Sequence, residues 1–105
     1  VDLVELMDCY AYQQPMWLEG LGLADEGHGG TFIDASGPAS YNVNLSGGHL
    51  AGTPLIIGGL YRAVEAVLQL KHEAGEHQAA DVTCALVQST TGGAGQFHTV
   101  LVLEQ

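Results

Sequence analysis

Positive charge is scarce in this sequence. Arg62 and Lys71 are its only basic residues apart from histidine, and they stand against twelve aspartates and glutamates, which gives a formal net charge of −10. Such a surplus of negative charge repels phosphate groups at long range, so we expect no nucleic-acid partner. A ligand that carries phosphates would need cationic groups from elsewhere in the protein or from another subunit.

Cysteine and long hydrophobic runs are also lacking. Cys9 and Cys84 are too few for a disulfide framework and fit a reducing, cytoplasmic setting. No apolar run approaches the ~20 residues that cross a bilayer, so we expect no membrane partner. His72 and His77 do not form a set with metal-ligand spacing, and no metal site is expected. The sequence has no initiator methionine and no leader, so we expect it to be cut from something longer.

The chain opens with an apolar run and then a helical segment. Residues 1–7 (VDLVELM) are predicted as a strand, with Asp8 as N-cap of the helix that follows. That helix is predicted within residues 10–23, where Pro15 restarts or kinks it.

Glycine punctuates the middle of the chain, which excludes long regular elements there. Residues 31–35 (TFIDA) are predicted as a short strand. Residues 41–48 (YNVNLSGG) are predicted as a brief extended piece that runs into a glycine turn.

A long helix is predicted from Thr53 to about Ala74. Thr53 is placed as its N-cap, Pro54 as its first residue and Gly75 as the residue that ends it. Apolar residues recur at helical spacing and predict one broad buried face. That face comprises Ile57, Leu60, Tyr61, Val64, Val67 and Leu68. The polar residues Arg62, Glu65, Gln69 and His72 are placed largely elsewhere on the helix.

The chain ends with two apolar runs. Residues 81–88 and 96–103 are predicted as an antiparallel strand pair joined by the glycine-rich segment 89–95. These elements predict an α/β fold with a mixed sheet, a long covering helix and a terminal antiparallel strand pair.

Three segments, in this order, resemble the C-terminal half of thiolases. Residues 4–10 (VELMDCY) are similar to the Val-Glu-Leu-His-Asp-Cys-Phe signature of sterol-carrier-protein-type and lipid-transfer-type thiolases. Residues 42–63 (NVNLSGGHLAGTPLIIGGLYRA) resemble the segment from Asn-Pro-Ser-Gly-Gly to Gly-His-Pro. Residues 90–104 (TTGGAGQFHTVLVLE) resemble the final glycine-rich turn and strand. The resemblance covers essentially the whole chain.

The resemblance implies a particular architecture. The family's half-domain is a five-stranded mixed sheet of order 3-2-1-4-5, and residues 1–105 would begin at its third strand. The first two strands would then be missing from between the opening strand and the terminal pair, as would the whole N-terminal half. We therefore expect an incomplete thiolase C-terminal-like domain, marginal or prone to associate in isolation, from a parent that is usually a homodimer.

The sequence departs from the thiolase motifs at three catalytic positions. Met7 stands where the first motif has His or Asn, Thr53 replaces the His of Gly-His-Pro, and Ser89 aligns with the Cys of Cys-x-Gly. A thioether and two hydroxyls are poor substitutes for groups that move protons or attack a thioester. Ordinary thiolysis by this chain is therefore not expected.

Five residues are candidates for a remaining site. His49 is the best candidate for a base, with a role in the turn as its alternative, and Tyr10 is either a donor or a core aromatic residue. For Thr53 the alternative to catalysis is helix capping. For Ser89 it is a hydrogen bond within the glycine turn, and for Asp8 it is capping rather than orienting the site.

Two functions remain open from sequence alone. The first is part of an acyl-CoA acyltransferase, or of a carbon-carbon lyase (retro-aldolase), in lipid or steroid breakdown. Its substrate would be a coenzyme A thioester, with no cofactor bound by this chain and with a possible OB-fold, zinc-ribbon partner. The second is a catalytically inactive subunit that binds acyl-CoA or another protein.

Overall fold

The computed structural model describes residues 1–34, 42–52, 54–92 and 95–105, and it shows an α/β domain. Thr53, and with it the predicted N-cap, lies outside the described residues. The helices and strands are β1 (Leu3–Glu5), α1 (Gln13–Gly20), α2 (Gly29–Asp34), β2 (Asn42–Val43), α3 (Gly48–Ala51), α4 (Gly58–Leu70), β3 (Cys84–Thr91) and β4 (Phe97–Glu104). Short 3-10 turns cover Leu55–Ile57 and Gly75–His77.

The four strands form one mixed sheet in the order β2-β1-β3-β4. β1 is parallel to both β2 and β3, whereas β3 and β4 form the predicted antiparallel pair, with Cys84 opposite Glu104 and Thr91 opposite Phe97. The expected gap beside the opening strand is wrong, because Leu3 pairs directly with Ala85. Direct pairing satisfies the backbone groups that both strand edges would otherwise leave unpaired.

Helices cover both faces of the sheet, and successive residues of each strand contribute to opposite sides. Helix α4 packs on one face, where the buried cluster comprises Leu3, Ala66, Leu70, Val82, Ala85 and Val87. On the other face the buried cluster comprises Val4, Leu6, Leu18 and Leu86, with Trp17 and Phe32 packed against it. The core is therefore two thin apolar layers, one on each side of β1 and β3.

Two predictions for the first half of the chain are corrected by the structure. Asp8 does not cap α1, since Tyr12 occupies the N-cap position and no side chain caps that end. Residues 29–34 form α2 rather than a strand, and the Gly29 N–H at its start donates to Glu19 Oε1 at 2.8 Å. A short apolar run does not by itself distinguish helix from strand, and here the contact with α1 decides it.

Helix α4 is shorter than predicted at both ends. It begins at Gly58 rather than near Thr53, after the Leu55–Ile57 turn, and it ends at Leu70. The residue that ends the helix is His72 and not Gly75, because His72 has a left-handed backbone (φ 57°). The N–H of the next residue, Glu73, donates to Leu68 O at 2.8 Å.

The predicted buried face of α4 is also wrong, because the side of the helix that meets the sheet carries the polar residues Arg62 and Gln69 beside Ala66 and Leu70. Arg62 and Gln69 are completely buried, whereas Leu60 is 67% exposed and Val64 is 50% exposed. Periodicity identifies which residues share a face but not which face meets the sheet. Arg62 Nε donates to Leu6 O, and Gln69 bonds to His77 O and Ala79 N–H, which offsets most of the cost of burying them, although Arg62 Nη1 has no partner among the described residues. We call Ile57, Leu60, Tyr61, Val64 and Val67, all exposed, the outer face of α4.

Candidate functional site

A cavity of about 1050 Å³ lies at the carboxyl ends of β1 and β3, beside the first turn of α4. The carboxyl edge of such a sheet is where α/β proteins bind ligands. Apolar side chains form much of the wall, and a few polar ones lie among them. Its lining includes Met16, Trp17, Ile56, His49, Tyr10 and Ser89.

A tight glycine turn carries His49 to this cavity. Gly47 and Gly48 both have left-handed backbones, with φ of 80° and 60°, and His49 follows them in the single turn of α3. A Cβ on Gly48 would lie 2.1 Å from Asp8 Oδ2, so only glycine admits the carboxylate there. Asp8 Oδ1 accepts the backbone N–H of His49 at 2.7 Å. Asp8 thus holds the backbone of the histidine segment from β1's end of the sheet.

Glu5 holds the same turn from inside the sheet. Its carboxylate is fully buried and accepts the Ser46 hydroxyl at 2.5 Å and the Ser46 N–H at 3.1 Å. Ser46 Oγ in turn accepts the Gly48 N–H at 3.1 Å. Burial raises the pKa of Glu5 above its usual value, and the two Ser46 hydrogen bonds oppose that shift. A titratable group that the sequence analysis did not single out therefore supports the turn that carries His49.

Arg62 lies under the histidine and is completely buried. Its Nε donates to Leu6 O at 2.8 Å and its Nη2 donates to Met7 Sδ at 3.3 Å. The same Nη2 contacts His49 Nδ1, and it lies 3.6 Å from Asp8 Oδ1. Burial lowers the pKa of Arg62, and the negative charge of Asp8 works against that shift.

Two glycines at the start of α4 make room for these side chains. A Cβ on Gly58 would lie 2.2 Å from His49 Cε1, and a Cβ on Gly59 would lie 2.9 Å from Ser89 Oγ. Real Cβ contacts are not that short, so either substitution forces a side chain of the cavity wall to move. The Gly58-Gly59 pair is therefore a steric requirement of the site.

The structure brings three of the five predicted residues to one cavity. His49, Tyr10 and Ser89 line it, while Asp8 lies behind His49 and Thr53 is outside the described residues. Tyr10 is not a core aromatic residue, because it is 61% exposed and stacks on the neighbouring Tyr12 with ring centroids 5.7 Å apart.

Sequence reasoning missed several residues of the site. The helical pattern places Arg62 largely outside the predicted buried face, and neither Glu5 nor Gln88 is among the predicted site residues. Gln88 Oε1 accepts the Met7 N–H at 3.0 Å and so fixes the chain where it leaves β1. Cys9 also lines the cavity, as a free thiol. The signal that the sequence offered is that Glu5 and Arg62 lie inside apolar segments, in a chain that has only one other basic residue apart from histidine.

Neither cation is free to meet a phosphate at the cavity. Arg62 is buried, and Lys71 lies just beyond the far end of α4, where it pairs with Glu73 at 3.0 Å. Within the described ranges no group of three metal-ligating side chains occurs. Nor does any helix there have the length and apolar character that a membrane span requires.

The sheet, the glycine turn and the terminal strand pair together form an α/β domain with a cavity at the carboxyl edge of its sheet. The family model described as thiolase C-terminal domain-like matches residues 1–105, and the chain belongs to that family.

Similar proteins agree with this assignment. Sterol carrier protein 2 of Rattus norvegicus is 38% identical over 82% of this chain, and an acetyl-CoA acetyltransferase of Methanothermobacter thermautotrophicus is 36% identical over 93% of it. Non-specific lipid-transfer protein-like 2 of Caenorhabditis elegans is 31% identical over 90% of the chain. The chain spans only 16%, 27% and 24% of these three relatives, respectively.

Proposed function

We propose that this domain forms one wall of the active site of a longer thiolase-like protein that acts on acyl-CoA thioesters. The observation that carries the proposal is the cavity at the carboxyl edge of the sheet, whose lining includes His49, Tyr10 and Ser89. Family membership supports the substrate class, since one relative is named an acetyl-CoA acetyltransferase. The reaction is acyl transfer or retro-aldol carbon-carbon cleavage, in lipid or steroid breakdown.

The composition of the wall favours the acyl and thioester end of such a substrate. Apolar side chains such as Met16, Trp17 and Ile56 suit an acyl group, and the polar groups suit a thioester carbonyl. The nucleotide end of coenzyme A carries phosphates. This chain does not attract them, because its net charge is −10 and its Arg and Lys side chains already have partners. That end therefore binds to another part of the protein, and this chain binds no cofactor of its own.

The rest of a thiolase fold is the partner that the domain requires. Ile57 and the other residues of the outer face of α4 are exposed, a run of apolar surface of the kind that interfaces cover. The relatives are several times longer than this chain, so ample sequence exists in such proteins to cover it. The homodimer, the OB-fold and zinc-ribbon partner and the cytoplasmic location follow from the resemblance and the composition alone.

The test is an assay of the full-length protein with coenzyme A thioesters. We expect His49→Ala, Tyr10→Phe and Ser89→Ala to lower the rate of cleavage, with His28→Ala, at an exposed histidine away from the cavity, as the control. Acyl transfer consumes one free coenzyme A per bond cleaved, whereas retro-aldol cleavage consumes none and releases a carbonyl compound. Wild-type rates in all three variants would show that the site assignment is wrong.

A second candidate function is a non-catalytic one. Met7 and Ser89 line the cavity, and by the resemblance they stand at two positions where active thiolases carry reactive groups. The outer face of α4 offers an interaction surface. An inactive subunit would bind acyl-CoA or a partner without turnover. A full-length protein that binds thioesters tightly and cleaves none favours this alternative.

A further inference from the structure

We infer that Arg62 is a positioning residue that fixes the tautomer of His49, so that the imidazole offers a hydrogen-bond donor, Nε2–H, to the ligand in the cavity. This changes the chemistry expected of His49. A histidine that acts as a base needs a free lone pair on a ring nitrogen, whereas the contact with Arg62 occupies the lone pair on Nδ1 and leaves Nε2 as the nitrogen without a partner.

The direction of the hydrogen bond between the two side chains follows from their chemistry. A guanidinium group has five N–H donors and no acceptor. His49 Nδ1 contacts Arg62 Nη2, so Nδ1 must be the acceptor in that contact. A neutral imidazole that accepts at Nδ1 carries its proton on Nε2.

The other nearby group does not compete for Nδ1. Asp8 Oδ1 is the only charged acceptor close to the ring among the described residues, but it lies 3.7 Å from His49 Nδ1, beyond hydrogen-bond reach. That oxygen accepts the backbone N–H of His49 at 2.7 Å instead. Asp8 therefore fixes the main chain of the histidine, and Arg62 fixes its ring.

Arg62 is held too firmly to rotate away from the ring. Its Nε is bonded to Leu6 O at 2.8 Å, and Met7 Sδ accepts from Nη2 at 3.3 Å. The side chain is completely buried between α4 and the sheet. These two hydrogen bonds and the burial fix the plane of the guanidinium, and hence the side of it that faces His49.

The opposite nitrogen of the ring has no partner among the described residues. His49 Nε2 is buried and unpaired, its side chain is only 5% exposed, and the imidazole lines the cavity next to the missing side chain of Gly58. A buried N–H without a partner is costly, so a ligand with a well-placed acceptor gains from meeting it. If the proposed function holds, that acceptor is the thioester carbonyl oxygen, whose negative charge grows as an enolate forms.

The first experiment measures the tautomer directly and needs no variant. The full-length protein is labelled with ¹⁵N-histidine, and the His49 signals are assigned by their loss in His49→Gln. We expect a pyrrole-type shift for Nε2 and a pyridine-type shift for Nδ1 in the ligand-free protein. A proton on Nδ1 instead of Nε2 would overturn the inference, whatever the protein proves to act on.

The second experiment tests whether Arg62 is the cause. Arg62→Met removes the donor, and Lys71→Met removes the other cation of the chain at an exposed position as the matched control. In folded Arg62→Met we expect the His49 signals to shift away from the pure Nε2–H form. An unchanged Nε2–H tautomer there would refute the role of Arg62, and if the variant does not fold the wild-type measurement alone decides.

Turnover separates this inference from the proposed function. Because one donor to a developing oxyanion contributes about 10²-fold or more, we expect Arg62→Met to lower kcat about that much, with KM changed far less and Lys71→Met unaffected. An equal loss in both cation variants would contradict a specific effect on the ring. Absence of any thioester cleavage by the wild type would refute the proposed function and leave the tautomer measurement unaffected.

Discussion

Gly58 is the position at which one methyl group tests the geometry of the site. In Gly58→Ala the new Cβ would lie 2.2 Å from His49 Cε1 and 2.6 Å from Nε2, whereas ordinary contact begins near 3.4 Å. The ring must therefore move by about 1 Å, although Arg62 contacts it at Nδ1 and Asp8 holds the backbone of His49. Overpacking of this kind costs about 1–3 kcal/mol.

The helix propensity of alanine opposes this steric cost, so the sign of the change in the free energy of unfolding shows which effect is larger. Alanine is favoured over glycine inside a helix by up to about 1 kcal/mol, and less at a first residue such as Gly58. We expect a net loss of about 1–2 kcal/mol in the free energy of unfolding, with reduced turnover.

Urea denaturation of Gly58→Ala and Gly30→Ala provides the measurement and its control. Gly30 lies in α2 with nothing within 4 Å of the added Cβ, so its variant should be as stable as the wild type or slightly more stable. If Gly58→Ala unfolds at the same urea concentration as Gly30→Ala, the described packing of His49 against α4 is refuted.

Three further predictions concern other parts of the domain. Burial raises the pKa of Glu5 above its ordinary 4.5. Its contribution to stability is therefore fully present below pH 4.5 and is lost as the pH rises through the raised pKa. Glu5→Gln should abolish this part of the pH dependence of unfolding. In the isolated chain, Val64→Ser should cost less than about 0.5 kcal/mol, whereas Leu70→Ala should cost about 2–5 kcal/mol, since only Leu70 is buried. Asp2→Ala removes a carboxylate that accepts two hydrogen bonds from Thr83, so amide exchange at Thr83 should accelerate.

Controls and contrary outcomes for these three are as follows. Glu76→Gln, at an exposed glutamate, should keep the wild-type pH profile of unfolding, and the same profile in Glu5→Gln would contradict the burial of that carboxylate. If Val64→Ser lowers the free energy of unfolding more than Leu70→Ala does, the described orientation of α4 is wrong. Unchanged exchange at Thr83 in Asp2→Ala would mean that the carboxylate does not support the pairing of β1 with β3.

The strands were predictable because their signal is local. β3 and β4 are two apolar runs rich in valine and leucine around a glycine-rich segment, and that pattern admits few alternatives. His49 could be singled out because it follows Gly47 and Gly48, and Ser89 because it precedes the glycine-rich segment, although the structure places Ser89 within β3. Short α2 was not predictable, because the contact that starts it comes from Glu19, ten residues earlier.

Arg62 could not be found by periodicity, since its role depends on which side of α4 faces the sheet. A hydrophobic pattern assumes that the apolar stripe of a helix points inward. Here the sheet beneath offers Leu6 O to Arg62, and Ala79 N–H and His77 O bond to Gln69, which makes the polar side the better fit. Partners distant in sequence decided the orientation, and no local pattern carries them.

The inverted orientation of α4 also links the site to the proposed larger protein. If the apolar side of α4 faced the sheet, Arg62 would point away from the cavity and His49 Nδ1 would lose its donor. Turning the polar side inward organises the site and leaves the outer face uncovered, with Leu60 67% exposed. An exposed apolar surface of this kind marks a place where another part of a protein binds. The same helix therefore arranges the ring of His49 on one side and, in the proposed longer protein, contacts the rest of the fold on the other.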